Sequence, residues 1–253
     1  MLKFIGIGSA FNYELGNTSA YIKENKTLLL IDCGETVFAR IQEMNLLSDV
    51  ENVYVAITHM HSDHVGSLAS LIDYLYWNKN IVPNLILPNG DEESEVAEET
   101  FRKYLTILGI SEDHYETTYA DMMEDVLTGL KTINYLTVKH SPRLVSYAIE
   151  LIFENKKIIY VGDNNDVSYM NKISYTMDEN TFVYTDCSTG ENEVHISLDA
   201  LAEIFDEEKR KNIYCTHFDN YEVINKAKGL GFKVAGRELS KAELLKQIAS
   251  RKI

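Results

Sequence analysis

The order of strand-like and helix-like segments predicts an α/β fold in which two sheets pack face to face with helices outside. Three observations carry that expectation. Strand-like runs fill both halves of the chain, helical spacing intervenes between them, and no low-complexity linker or internal repeat divides the 253 residues, so one domain spanning 1–253 is expected.

In the first half, "LKFIGIG" (2–8), "SAYIKE" (19–24), "TLLLIDCG" (27–34), "VYVAIT" (53–58) and "PNLILP" (83–88) are short, β-branched and leucine-rich, and bounded by Gly, Asn and Lys. "ETVFARIQEMNL" and "VGSLASLIDYLYWNK" instead place apolar residues at helical intervals. "DEESEVAEETFRKYLTIL" reads as an acidic helix whose early Asp and Glu complement its N-terminal dipole. The acidity continues through "YADMMEDVLTGL", where Asp121 to Asp125 read as a solvated helix face, so 91–130 is expected as a helical cover segment. In the second half the strands are 132–140, 146–154, 156–163, 181–187 and 212–218, with helices near 197–209, 220–230 and 239–249.

Composition removes several classes of function. No window approaches eighteen consecutive apolar residues and the N-terminus lacks a signal-peptide pattern, so no membrane partner and a cytoplasmic location are expected. Cys33, Cys187 and Cys215 show no C-x-x-C pairing, which leaves nitrogen and oxygen to hold any metal. A formal net charge of −15 with no basic face argues against a long nucleic acid as partner; "EEKRKN" (207–212) reads as a solvated helix end. Gly6 and Gly8 do not complete a G-x-G-x-x-G fingerprint, and a tight turn is the better reading.

"THMHSDH" (58–64) concentrates His59, His61, Asp63 and His64 between a buried strand and a helix. A lone histidine is more often a packed or surface residue than a ligand, and His114 in "SEDHYE" is read as a surface residue. Three histidines and an aspartate this close are different, because they cannot all be buried without a cation to satisfy them. Alternation lets His59 and His61 face one ion while Asp63 and His64, after the chain turns, face another. Three further strands end on a candidate ligand: His140, Asp163 and His217.

These residues together resemble the metallo-β-lactamase superfamily, whose H-x-H-x-D-H stands here at His59–His64. The likeness runs from residue 2 to about 218 and takes in His140, "VGD" with Asp163, "CTHF" with His217 and "LIDCGE" with Asp32. It implies an αβ/βα sandwich of two mixed sheets. It also implies a first metal on His59, His61 and His140, a second on Asp63, His64 and His217, and Asp163 shared between them. Asp32 would brace the ligand loop from within. The expected cofactors are two divalent ions, zinc first, with manganese or iron suited to the same donors.

Two such ions activate a water for attack on a phosphoryl or acyl centre. The candidate catalytic residues are then Asp63 and, as proton donor to the leaving oxygen, His195 in "NEVHISLDAL", whose competing reading is a helix-cap neighbour without chemistry. Asn17, Thr18 and Ser19, and Ser141 in "KHS", are candidates to contact substrate, with a simple turn the competing reading at 17–19. Within the superfamily the motifs resemble those of the transfer-RNA 3′-processing nucleases. Those enzymes carry a basic arm between the third histidine and the bridging aspartate, whereas only 23 positions separate His140 from Asp163 here. The arm-less pattern looks like the cyclic-nucleotide phosphodiesterases by which phages defeat Pycsar defence. That resemblance implies hydrolysis of 3′,5′-cyclic mononucleotides to 5′-monophosphates in a host cytoplasm, by a homodimer in which 91–130 covers the pocket or reaches a neighbouring subunit's site. Tyr115 and Tyr119 could there stack on a base, but packing within the segment is the preferred reading. The alternatives are transfer-RNA processing, a lactone, thioester or ester hydrolase of the same fold, and a sponge that sequesters a nucleotide without cleaving it. A redox flavodiiron-type role is less expected, because those proteins append a flavin domain for which 253 residues leave no length.

Overall fold

The computed structural model describes residues 1–88, 92–190, 192–239 and 243. Its first sheet is β1 (Lys3–Gly6), β2 (Ser19–Glu24), β3 (Thr27–Ile31), β4 (Asn52–Ala56), β5 (Asn84–Leu87) and β6 (Glu116–Tyr119), hydrogen-bonded in sequence order. The second is β7 (Leu130–Val138), β8 (Ser146–Phe153), β9 (Lys157–Gly162), β10 (Thr181–Asp186), β11 (Ile213–Thr216) and β12 (Lys233–Val234), also in sequence order. Each sheet opens with three antiparallel strands and continues with parallel ones. A parallel step needs a crossover, which is where the helices fall. In the first half these are α1 (Val37–Glu43), α2 (Ser62–Val65), α3 (Leu68–Tyr74) and α4 (Glu92–Ile107); in the second, α5 (Val167–Thr176), α6 (Leu198–Ile204), α7 (Glu207–Arg210) and α8 (Tyr221–Gly229). This is the expected sandwich of two mixed sheets flanked by helices.

Burial on both faces explains why β3 is apolar from Leu28 to Ile31. Leu28 and Leu30 pack in a cluster with Val37 and Ile41 of α1, Leu68 and Leu71 of α3, and Phe101 and Leu105 of α4. Leu29 and Ile31 point the other way and join Ile133, Ile149, Val161 and Val183 of the second sheet. A strand covered on both faces has no solvated side to write in polar residues. Truncating Leu29 or Leu30 to Ala would therefore cost about 2–5 kcal/mol, the range for buried leucines. Helix starts follow local chemistry as well: Asp166, Ser197, Asp206 and Asn220 each accept a backbone N–H in the first turn of α5, α6, α7 and α8.

The structure revises several local expectations. Segment 91–130 is not only helical, because "ETTY" forms β6 and pairs in parallel with β5 from Asn84↔Glu116 to Leu87↔Tyr119. The β-forming Thr and Tyr residues were masked by acidic neighbours on both sides. Asp121–Asp125 is no helix face: a single 3-10 turn covers Ala120–Met122, and Asp125 has a left-handed φ of 58°. Tyr115 is buried in the cluster beneath α4, which agrees with the packing reading and leaves it unable to stack on a ligand. His114 is buried rather than on the surface, with Nδ1 3.0 Å from Asp73 Oδ1 and its ring stacked on Tyr76. Helix α5 and strand β12 were not foreseen. The helix expected at 239–249 falls almost wholly outside the described residues.

Gly6 and Gly8 serve close backbone approach rather than a turn, since a Cβ on Gly6 would lie 2.2 Å from the Asn17 carbonyl oxygen and one on Gly8 2.6 Å from that of Asn12. Their strand thereby lies against the 12–17 loop, which lines one side of the site.

Candidate metal centre

Strand ends on one edge of the sandwich converge, and three of them turn in the same way. Asp32 after β3, Gly162 at the end of β9 and His217 after β11 all adopt left-handed φ values, of 63°, 67° and 58°. Such a residue ends the extended path and swings the chain across the sheet edge. Asp and His tolerate that region better than most side chains. The loop after β4 carries His59 and His61, then α2 begins at Ser62 and places Asp63 and His64 in one turn.

Seven donors meet in two groups, His59–His61–His140 and Asp63–His64–Asp163–His217. In the first, His61 Nδ1 lies 2.9 Å from His59 Nε2 and 3.2 Å from His140 Nε2. In the second, His217 Nε2 lies 3.2 Å from Asp63 Oδ2 and 3.3 Å from Asp163 Oδ2, and His64 Nε2 lies 3.3 and 3.4 Å from the same two oxygens. Asp163 Oδ2 is also 3.8 Å from His140 Nε2, which sets it between the groups.

Outer hydrogen bonds point these nitrogens inward. His64 Nδ1 is 2.8 Å from Asp32 Oδ2, and His140 Nδ1 donates to the Val194 carbonyl at 2.8 Å. With Nδ1 carrying the hydrogen, Nε2 presents a lone pair to the centre. His64 Nε2 is fully buried with no hydrogen-bond partner, facing two carboxylate oxygens. A buried lone pair aimed at two carboxylates is costly unless positive charge lies between them. A divalent cation fits that arrangement. The brace on the loop is Asp32, itself fully buried, which accepts from Thr58 N at 2.8 Å, Thr58 Oγ1 at 3.0 Å and Tyr160 Oη at 3.3 Å as well.

Electrostatics point the same way. Burial would raise the Asp163 carboxyl, but the adjacent His217 and His64 outweigh it and hold it well below the usual carboxylate range. For Asp63, burial is likewise overcome by the His217 hydrogen bond and the nearby His64, and its carboxyl is lowered. Burial opposes charge on His64, but Asp163 and Asp32 raise it well above the ordinary histidine value, so these carboxylates call for positive charge at this point, on the imidazole or on a cation facing its Nε2. Burial lowers His59, and His64 lowers it further.

Beside the donors, His195 Nδ1 is 2.7 Å from Asp186 Oδ2, a fully buried carboxylate at the end of β10. Burial works against its charge, yet the Asp186 hydrogen bond prevails and raises His195 to about 9. Asp186 in turn accepts from Asn164 N and Nδ2. Sequence reasoning missed Asp186, although the strand-end pattern that picked out His140, Asp163 and His217 applies equally to "VYTD". His61, Asp63, His140, Ser141, Asp163, His195 and His217 line one open cleft of about 400 Å³.

Two expected substrate contacts are not placed to serve. Asn17 is fully buried, with Oδ1 accepting from Thr36 N and Nδ2 donating to the Ala10 carbonyl, and the buried Thr18 donates Oγ1–H to the Gly8 carbonyl. Their polar atoms are consumed in closing the loop. Ser19 is buried too, donating to the Asp32 carbonyl. Ser141 keeps its place on the cleft wall.

Comparison with known proteins adds identity to this geometry. The family described as "Anti-Pycsar protein Apyc1" matches residues 1–234. The chain belongs to this family. A relative carrying that description in Bacillus phage 010DV004 is 28% identical over 93% of this chain and 96% of its own length. Among solved structures, the metallo-β-lactamase fold protein YhfI from Bacillus subtilis superposes with a TM-score of 0.67 at 16% identity, covering 94% of this chain and 97% of its own. The short form of human tRNase Z gives 0.63 at 15%, with coverages of 94% and 97%. At such identities the two structures speak for the fold, which is the metallo-β-lactamase fold. Family, fold and the His/Asp cluster together make the chain a metal-dependent hydrolase.

Proposed function

We propose that this protein is a phosphodiesterase that hydrolyses 3′,5′-cyclic mononucleotides to 5′-monophosphates and so removes a cyclic-nucleotide defence signal in a host cytoplasm. The carrying observation is the two donor groups with Asp163 Oδ2 set between them, 3.8 Å from His140 Nε2, opening with His195 onto one small cleft. His59, His61 and His140 would hold one divalent cation and Asp63, His64 and His217 the other, with Asp163 between them; zinc best suits these donors. Such a pair, when bound, supplies the Lewis acidity that brings a shared water's pKa toward neutrality. The chain's own part is orientation and proton supply. Asp32 and the Val194 carbonyl fix the tautomers of His64 and His140, and Asp186 holds His195 with its Nε2 left to give a proton to the departing 3′ oxygen.

Two features support a small substrate. His140 and Asp163 are joined by only β8 and β9, leaving no inserted arm to grip a folded RNA, and a net charge of −15 offers a polyanion nothing. The cleft is in the size range of small-molecule sites. Among the described residues no helix is long and apolar enough to cross a membrane. We read the active species as a homodimer.

The test is to incubate metal-loaded protein with cyclic CMP, UMP, AMP and GMP and with a precursor transfer RNA, with and without chelator. Chelator-sensitive formation of 5′-monophosphates is expected. Turnover of none of the four, or cleavage of the RNA alone, would replace this reading.

A further inference from the structure

The rim of the cleft carries a side chain that packing does not explain. Phe11 is 89% exposed, yet it lines the same cleft as His61, His195 and His217. An exposed phenylalanine on a loose loop would carry no message. This loop is not loose: Asn12 N donates to the Ser9 carbonyl at 3.1 Å, closing a turn with Ala10 and Phe11 at its tip. The turn is pinned to the strand end that carries a metal donor, by Ser9 N to the Phe218 carbonyl at 3.1 Å and by Asn12 Nδ2 to the carbonyls of Phe218 and Asp219 at 3.1 and 3.0 Å. Asn12 also binds inward, its Oδ1 accepting from Leu15 N and its carbonyl from Gly16 N.

The backbone on either side of Phe11 is therefore held while its ring is offered to solvent, one residue away from the anchors of His217. The neighbouring aromatic behaves differently. Tyr13 also lines the cleft, but its hydroxyl donates to Glu35 Oε2 at 3.0 Å and ties the ring to the wall. Among the described residues no other ring stacks on Phe11.

We infer that Phe11 is the stacking platform for the nucleobase of a cyclic mononucleotide whose phosphate lies at the metal centre. This rests on the phosphodiesterase reading above and adds the residue that holds the other end of the substrate. A flat apolar ring at the rim suits a ligand that is anionic at its phosphate end and aromatic at the other. Stacking is tolerant of base identity, because every base has a π-face, but it grows with ring area.

The experiment compares wild type with Phe11→Ala and Phe11→Trp at equal metal content. Substrates are cyclic AMP, cyclic CMP and the methyl riboside 3′,5′-cyclic phosphate, which keeps the phosphodiester ring and lacks a base. In Phe11→Ala the ratio of kcat/KM for cyclic AMP to that for the base-less compound should fall about tenfold, mostly through KM, and the ratio for cyclic CMP by less. Phe11→Trp should restore both. An unchanged ratio, or a loss of dimer without a change in ratio, overturns the platform and leaves the phosphodiesterase reading standing. Wild type that cleaves the base-less ring but no nucleotide overturns both.

Discussion

Strands β1–β6 and β7–β12 are built to one plan, with the same sequential order and the same change from antiparallel to parallel pairing after the third strand. They furnish the metal centre by opposite means. The first half concentrates four donors between His59 and His64 on one loop and its adjoining helical turn. The second spreads three over strand ends, each separated from the next by a whole intervening strand: His140 after β7, Asp163 after β9 and His217 after β11. A clustered set is placed by local chain geometry and needs one brace from behind. A dispersed set is placed only by sheet register, so each member depends on the whole second half being folded. Asp32 and Tyr160 join the two arrangements, because the brace of the first half takes a hydrogen bond from β9 of the second.

The largest expected effect comes from Asp163, which lies between the two donor groups. Asp163→Ala should reduce bound metal, measured by elemental analysis, and lower hydrolase activity to background. His61→Ala, which removes one half-exposed donor from a single group, should retain the metal of the other group. Equal metal loss in both variants would show that the site fills only as a unit and would erase the distinction between clustered and dispersed donors.

Next in size is His195, supplied by the second half alone. His195→Ala should lower kcat by about 10²–10⁴-fold, the usual worth of a positioned general acid. A proton donor must be protonated, so a raised pKa keeps His195 competent at neutral pH and the rate falls as pH rises through it. Asp186 lifts it to about 9, and two cations nearby would bring it down again, so the basic limb of the kcat profile should lie at or below pH 9. A profile flat beyond pH 9 would exclude His195 as the donor. Asp186→Asn, which keeps the shape and removes the charge, should move that limb to lower pH.

What the sequence revealed about this site follows the same division. The H-x-H-x-D-H cluster is visible because its spacing alone is improbable without a cation, and the dispersed donors became visible once strand ends were compared with one another. Asp186 sits at such an end and went unread because its role is defined by a partner nine residues on, through space rather than by motif. Asn17 and Thr18 looked like substrate contacts since polar residues in a loop beside a site usually are. The close approach of β1 to that loop turned their polar atoms inward, and no local pattern announces it. β6 and α5 were hidden by composition: the first by flanking acids, the second by a polar stretch whose burial of Met170 and Ile173 depends on the sheet beneath. The likeness of the two strand-rich halves was legible, but their shared strand order and change of pairing were not, because topology repeats here while sequence does not.

A third effect tests the brace between the halves. Asp32 receives four donors from Thr58, His64 and Tyr160 in a fully buried setting. Asp32→Ala leaves those donors unpaired, at a cost of about 3–5 kcal/mol for breaking a buried charged network. By calorimetry that corresponds to a Tm lower by roughly 6–20 °C for a chain of this size. Tyr160→Phe, removing only the longest bond, should cost about 1 kcal/mol. If the two variants were equally destabilised, the brace would belong to the second half rather than the first.

The smallest effect concerns how the strand ends turn. Asp32 and His217 reach left-handed φ with side chains that tolerate it, whereas β9 uses Gly162, at φ 67°. A Cβ there would lie 3.1 Å from Thr58 Cγ2, so Gly162→Ala meets both backbone strain and a tight contact with the first half. The combined cost should be about 1–2 kcal/mol, lowering Tm by about 2–8 °C. Thr58→Ser removes Cγ2 and keeps the hydroxyl that Asp32 needs, which allows the two contributions to be separated in a double-mutant cycle. If Gly162→Ala is less damaging in the Thr58→Ser background than alone, contact between the halves governs the turn. If the two changes simply add, the left-handed backbone governs it, and β9 would have turned in the same way without the first half beside it.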